Sequence, residues 1–307
     1  PGSVEETAEM QNTRDALAWL RTVDPQTPFF LRLSYNAPHT PVVAPPPFDT
    51  LIDPETIKIP MPEDVPLSTL PEPVREHLCR VAGADRLTPE QIRRSRQCYY
   101  GRTAFVDHII GELLRAIEED GRLDDTFVVF VSDHGCHLGD HGFFQKQSFY
   151  EASVHVPFLL AGPGIQGGCT VEPPVSTGSL LPTLAALTGT PLAFPAAFPA
   201  LDAELRGERT RRCVFSELDF GIWDYRDGDR YVMVRDRNWK MSVFRDPFRP
   251  NRLDPNRGGA LFDLADDPGE IRNRRTGVRT GQSAEGPIGS VRCHQHIGRL
   301  RHGRNPL

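Results

Sequence analysis

Long apolar runs are missing from this 307-residue chain. No stretch approaches the roughly 20 consecutive apolar residues that a helix needs to cross a bilayer, so a membrane partner is not indicated. Cationic excess is missing as well. Lys and Arg total 35 against 41 Asp and Glu, a formal net charge of -6, which argues against a nucleic-acid partner. The six cysteines, Cys79, Cys98, Cys136, Cys169, Cys213 and Cys293, show no CxxC pair and no regular spacing, so neither a zinc knuckle nor a disulfide framework is indicated. The chain opens at Pro1 without an initiator methionine, so the sequence says nothing about secretion. What is present, 38% hydrophobic residues over this length, is enough to bury a sizeable core as one large domain, or one large and one small.

The most informative stretch begins with Thr126-Phe127-Val128-Val129-Phe130-Val131, preceded by Gly121 and Asp124-Asp125 and followed by Ser132-Asp133-His134-Gly135. A short unbroken apolar run of this kind reads as a strand buried on both faces, as in a parallel α/β sheet. Sites in such sheets lie beyond the carboxyl ends of strands, where Asp133 and His134 fall and where a carboxylate and an imidazole can reach one divalent ion. Taken alone, Asp133 reads equally well as a turn cap and His134 as a loop histidine. The segment continues through Cys136-His137-Leu138-Gly139-Asp140-His141-Gly142 to Lys146, then Tyr150-Glu151 and a second apolar strand, Val156-Pro157-Phe158-Leu159-Leu160-Ala161, closed by Gly162-Pro163-Gly164. Cys136 adjoins the candidate ligands and reads as a small side chain filling the loop. Upstream, Pro28–Tyr35 reads as another strand and runs into Asn36-Ala37-Pro38-His39-Thr40-Pro41, where prolines on both sides of His39 stiffen the loop that presents the imidazole. Near the end, Leu261-Phe262-Asp263-Leu264 precedes Asp266-Asp267-Pro268-Gly269-Glu270.

Together these three stretches resemble the sulfatase branch of the alkaline-phosphatase-like hydrolases. The resemblance implies an α/β fold with a mostly parallel sheet sandwiched by helices, incomplete here, plus a small C-terminal antiparallel sheet. It implies metal ligation by Asp133 and His134, sulfate contact by Lys146, a histidine facing the transferring group or leaving oxygen at His39, and a further substrate contact at His141. The implied cofactor is one divalent cation, Ca²⁺ or alternatively Mn²⁺, since oxygen ligands with one imidazole suit a hard cation. The implied partner is a small-molecule or glycan sulfate ester. In such a site the cation neutralises charge on the sulfuryl oxygens, and Lys146 and His39 supply fixed charge and a proton.

One part of the family pattern is absent. Its nucleophile is a formylglycine made from a Cys/Ser-x-Pro-x-Arg motif preceded by paired aspartates, and every Pro-x-Arg in this sequence lies in a window opening with Pro71, Arg245, Phe248 or Leu253. Cys98 to Arg102 has the right Cys-to-Arg spacing, but Tyr100 stands where the motif has proline. That window also falls inside a helix announced by the capping box Thr88-Pro89-Glu90-Gln91 and continued by Phe105, Ile109, Leu113 and Ile117. The resemblance therefore implies that a segment preceding Pro1 is missing, that the chain as given is inactive, and that strands around Leu31, Val129 and Leu159 lack neighbours. A phosphonate monoester or phosphodiester hydrolase of the same superfamily, and a non-catalytic sulfatase remnant, are the competing readings.

The expected organisation is a catalytic α/β portion over 1–190, a C-terminal subdomain over 191–275 and a basic tail over 276–307. Within the first, residues 42–87 are proline-rich and read as an irregular excursion at the site mouth, and Ser179 reads as the N-cap of a helix over 179–187. Within the second, residues 191–207 read as an Ala/Pro-rich linker, and Tyr231–Val234 and Trp239–Phe244, joined by a polar turn, read as a β-hairpin. The glycine- and arginine-rich tail, with a possible weak chelate at His294 and His296, cannot bury enough apolar area to offset chain entropy and is expected to be disordered.

Overall fold

The computed structural model describes residues 2–59, 75–76, 87–208, 213–219, 230–246 and 252–277. The tail beyond Gly277, His294 and His296, much of the proline-rich excursion, Cys79 and Cys293 lie outside the described residues. No helix among the described residues is long and apolar enough to cross a membrane.

Two helices frame the first half. Helix α1 (Ala8–Leu20) begins where the Thr7 side chain accepts from the Met10 amide, and buries Met10, Thr13, Ala16 and Leu20 at helical spacing. Helix α2 (Pro89–Glu119) opens with the anticipated capping box: Thr88 accepts from the Gln91 amide at 3.2 Å while the Gln91 side chain accepts from the Thr88 amide at 2.8 Å. Met10 of α1 packs with Phe105 and Ile109 of α2, and Val4, Tyr35 and Phe48 close round them. Gly121, with φ of 71°, ends α2 in the left-handed conformation that a glycine adopts without steric cost.

Strand β1 (Val128–Val131) pairs antiparallel with β2 (Phe158–Ala161), Phe130 opposite Leu159. This differs from the expectation of a parallel neighbour buried on both faces. Phe130 is 40% and Leu159 58% exposed, so one face of the pair is open. The segment 28–36 keeps the side-chain alternation of a strand, with Phe29, Leu31, Leu33 and Tyr35 turned inward and Phe30 outward. It has no ladder assignment, because a strand exists only by pairing and no described strand lies alongside it.

Short helices α3 (Glu151–Val154) and α4 (Leu180–Thr188) flank β2 in sequence. Ser179 precedes α4, but its side chain makes no cap. The capping role falls to Ser176, whose hydroxyl accepts from the Gly178 amide at 3.2 Å and starts a 3₁₀ turn leading into the helix. A further short helix, α5 (Asp202–Leu205), follows the irregular Ala/Pro stretch.

The C-terminal sheet is antiparallel in the order β3 (Val214–Asp219), β4 (Arg230–Arg235), β5 (Trp239–Arg245), β6 (Leu253–Asp263). The anticipated β4–β5 hairpin is present, with Tyr231 opposite Phe244. Its turn is fixed by the Asp236 carboxylate, which accepts from the amides of Asn238 (2.9 Å) and Trp239 (2.7 Å). Tyr231, Met233, Phe244, Ala260 and Phe262 of this sheet form one core cluster with Phe143, Phe149 and Tyr150. The sheet therefore packs on the very segment that follows the Asp133 motif.

Candidate active site

Two segments distant in sequence, the His39 loop and the stretch from Ser132 to Lys146, converge at the end of β1. Ser132 turns the chain there by donating its hydroxyl to the His134 carbonyl at 2.9 Å. Gly135 then passes against α3, its amide donating to the Ser153 carbonyl at 2.7 Å. Any Cβ at Gly135 would overlap the Ala152 carbonyl oxygen, so this position of the motif requires glycine for closeness of approach.

Asp133 and His134 sit side by side. The Asp133 carboxylate accepts from the His134 amide through Oδ1 at 2.9 Å, and Oδ2 lies 3.6 Å from His134 Nε2. His134 Nδ1 is 3.0 Å from the Gly135 carbonyl oxygen. A carbonyl can only accept, so Nδ1 carries the proton and Nε2 presents a lone pair. One carboxylate oxygen and one imidazole nitrogen are thus offered to a common point, a donor pair that fits two positions of a divalent-cation shell. Among the described residues no group of three or more His, Cys, Asp or Glu side chains could hold a metal ion.

His39 faces this pair, its ring centroid 6.4 Å from that of His134. Its loop begins with the His39 amide donating to the Asn36 carbonyl at 2.8 Å. His39 Nδ1 lies 2.8 Å from the Thr40 carbonyl oxygen, which assigns the proton to Nδ1 by the same reasoning. Its Nε2 then accepts from the Lys146 ammonium at 2.9 Å. The structure therefore brings together His39, Asp133, His134 and Lys146, four of the five residues singled out from sequence.

The fifth, His141, makes its contacts elsewhere. Its ring stacks on Tyr150 with centroids 3.7 Å apart, and His137 meets it edge-on at 6.0 Å. Burial lowers the His141 imidazole to about 4, with Lys240 adding to the effect and Asp267 opposing it. His137, fully buried with Nε2 2.7 Å from Ser148 Oγ, is lowered to about 3, chiefly by burial and then by His141. Beneath them lies a charge cluster that sequence reading missed. Lys240, 2% exposed, pairs with Glu151 at 3.0 Å and with Glu270, while Arg235 reaches Glu151 at 3.1 Å. Burial resists ionisation of Glu151, but Lys240 and Arg235 outweigh it and hold that carboxyl below its ordinary value. Glu270 shares the same ammonium yet is raised, because its deeper burial outweighs the attraction of Lys240. The signal was available: Lys240, Ser242 and Phe244 share the buried face of β5, and an inward lysine on such a face calls for a carboxylate.

A family model described as Sulfatase matches residues 3–190, more than half of the chain. The chain belongs to the sulfatase family. Over 260 residues the chain is 33% identical to a choline-sulfatase of Rhizobium meliloti (strain 1021), covering 80% of this chain and 46% of that protein. It is 34% identical to the arylsulfatase K of Rattus norvegicus over 289 residues, covering 87% of this chain and 49% of that protein. Among solved structures it is similar to the phosphonate monoester hydrolase of Agrobacterium radiobacter, with a TM-score of 0.76, 25% identity, and coverage of 90% of this chain and 58% of that one. The chain thus spans about half the length of the curated relatives it matches, and its α/β fold is the alkaline-phosphatase-like one.

Proposed function

We propose that this chain carries one half of a site that hydrolyses a sulfate ester of a small molecule or glycan, with Asp133 and His134 as metal ligands and His39 and Lys146 acting on the ester. The observation that carries the reading is the 2.9 Å approach of Lys146 Nζ to His39 Nε2, beside an Asp–His pair whose Oδ2 and Nε2 lie 3.6 Å apart. A divalent cation held there, Ca²⁺ or alternatively Mn²⁺, supplies charge neutralisation at the sulfuryl oxygens.

The chain's own side chains do the rest. The Lys146 ammonium uses one of its three N–H groups on His39, leaving two for an anionic oxygen. Because the Thr40 carbonyl retains the Nδ1 proton of His39, Nε2 is the atom that takes or gives a proton toward the ester oxygen. His141, the further substrate contact that the resemblance implies, stacks on Tyr150 and is given no role at the ester here. No Cys/Ser-x-Pro-x-Arg window occurs in the sequence, so no residue of this chain is assigned as nucleophile.

The test is turnover of an aryl sulfate by the full-length gene product and by its Lys146→Ala variant. Loss of one fixed charge from the site should lower kcat/KM by about 10²–10³-fold, and equal rates would defeat the reading. A second reading, a phosphonate monoester hydrolase, is favoured by the likeness to the Agrobacterium enzyme. It predicts that an aryl phosphonate monoester outcompetes the aryl sulfate in the same assay.

A further inference from the structure

The His39 loop is gripped from behind by a pair of side chains to which the sequence assigns no role at the site. Arg102, on α2, donates through Nη1 to the carbonyl oxygens of His39 (3.3 Å) and Pro41 (2.6 Å), and through Nη2 to Glu9 Oε1 at 3.0 Å. Glu9, on α1, also accepts from the Ala37 amide at 3.0 Å through that same oxygen. Both side chains are largely buried, Arg102 13% and Glu9 8% exposed. One ion pair therefore fixes backbone groups at 37, 39 and 41, on either side of the imidazole. It also ties them to the two helices whose packing is set by Met10, Phe105 and Ile109.

We infer that Arg102 and Glu9 are positioning residues which hold the His39 loop so that Nδ1 meets the Thr40 carbonyl and Nε2 meets Lys146. A guanidinium suits this task, since its planar fork spans a carboxylate and two carbonyls at once, whereas an ammonium is a single point on a flexible stem. The distances involved leave little slack. His39 is exposed at the surface, and among the described residues its ring nitrogens hydrogen-bond only to Lys146 and to its own neighbour Thr40. The orientation of the imidazole therefore follows the backbone that Arg102 holds. A pair serving only to join α1 to α2 would need no bonds to carbonyls 39 and 41.

The inference rests on the proposed role of His39 at the ester, and its readout is independent of turnover. Nitrogen-15 spectra of the histidine rings, recorded at alkaline pH where a free imidazole is neutral, report which nitrogen carries the proton, with His39 assigned by its loss in His39→Gln. The wild-type chain should show His39 as the Nδ1–H form. Arg102→Lys and Glu9→Gln break the clamp from its two ends while keeping size and polarity. Each should return His39 toward the mixed tautomers of free histidine and speed amide exchange at 37–41 by about tenfold. Arg94→Lys, on the same helix but bonded to the Asp49 carbonyl and Gln97, should leave both signals in place. An unaltered His39 ring in either folded clamp variant, or an equal change in Arg94→Lys, overturns the inference. Where the full-length product turns over an ester, the clamp variants should lose kcat by about tenfold or more with little change in KM. Altered ring signals without any turnover would retain the clamp and reject the sulfatase reading.

Discussion

Acid should loosen this protein before its carboxylates titrate, because two imidazoles are folded into it uncharged. Burial, reinforced by His141 and Lys240, lowers His137 to about 3, with only the Asp140 backbone working the other way. Burial and Lys240 lower His141 to about 4. An imidazole in the unfolded chain titrates near 6.5. A folded value below the unfolded one means that the unfolded chain takes up protons the native state refuses. The stabilisation is therefore complete above about pH 6.5 and is lost as the pH falls toward 4 for His141 and toward 3 for His137. Integrating proton uptake from about pH 7 to pH 5 gives about 1.9 kcal/mol for each imidazole. His141 keeps partial contact with solvent, so halving its share leaves about 3 kcal/mol in all, a large part of the roughly 5–15 kcal/mol that holds a domain together. The assay is urea denaturation at the two pH values for the wild-type chain and for His137→Gln, whose amide can still bond Ser148. The variant should lose about 1.9 kcal/mol of the pH dependence, whatever its absolute stability. Identical pH dependence in the two proteins would refute the reasoning, since it would mean that His137 is accessible to protons in the folded state.

Three more outcomes follow from packing and charge. Lys240→Met leaves Glu270 buried without its ammonium and Glu151 with Arg235 alone and should cost about 3–5 kcal/mol; a thermal midpoint equal to wild type would show that the cluster contributes nothing. Gly135→Ala places a methyl on the Ala152 carbonyl, and because backbone must move to admit it, stability should fall by about 1–3 kcal/mol, with His134 displaced relative to His39; an unperturbed His134 ring spectrum would contradict this. The open face of the β1–β2 pair, with Phe130 and Leu159 exposed alongside Phe30 elsewhere, should make the 307-residue chain self-associate, and light scattering showing a monodisperse monomer with one cooperative melt would sink that expectation.

The site was legible to the extent that its residues sit where local chemistry puts them. Asp133 and His134 could be placed because an apolar run followed by Ser-Asp-His-Gly fixes both the strand and its end, and His39 because prolines on each side leave its loop few conformations. The capping box of α2 and the β4–β5 hairpin were readable for the same reason, since each depends on residues within a few positions of one another. The arrangement of strands was not. Apolar content says that a strand is buried or sticky, but not which neighbour it has, and β1 lies antiparallel to β2 with one face open instead of between parallel partners. Segment 28–36 shows the limit most plainly, because it alternates like a strand and yet pairs with nothing described.

The interactions that sequence reading missed are the ones made across long separations by residues that look unremarkable one at a time. Arg102 sits in a helix already explained by its apolar stripe, and nothing near it announces a bond to Pro41 or to Glu9, 93 positions earlier. Glu151 and Glu270 are likewise 119 positions apart where the Glu270 carboxylate accepts from the Glu151 amide. Such pairs join the two histidine-bearing loops to the rigid parts of the fold, one through α1 and α2, the other through β5. If catalysis at His39 and Lys146 requires their 2.9 Å approach, the Arg102–Glu9 pair that bonds the His39 loop helps to set it, and substitutions there should impair function while every motif residue remains intact. That is a stronger demand on the sequence than the motifs express, since Glu9 and Arg102 meet the His39 loop only through the fold.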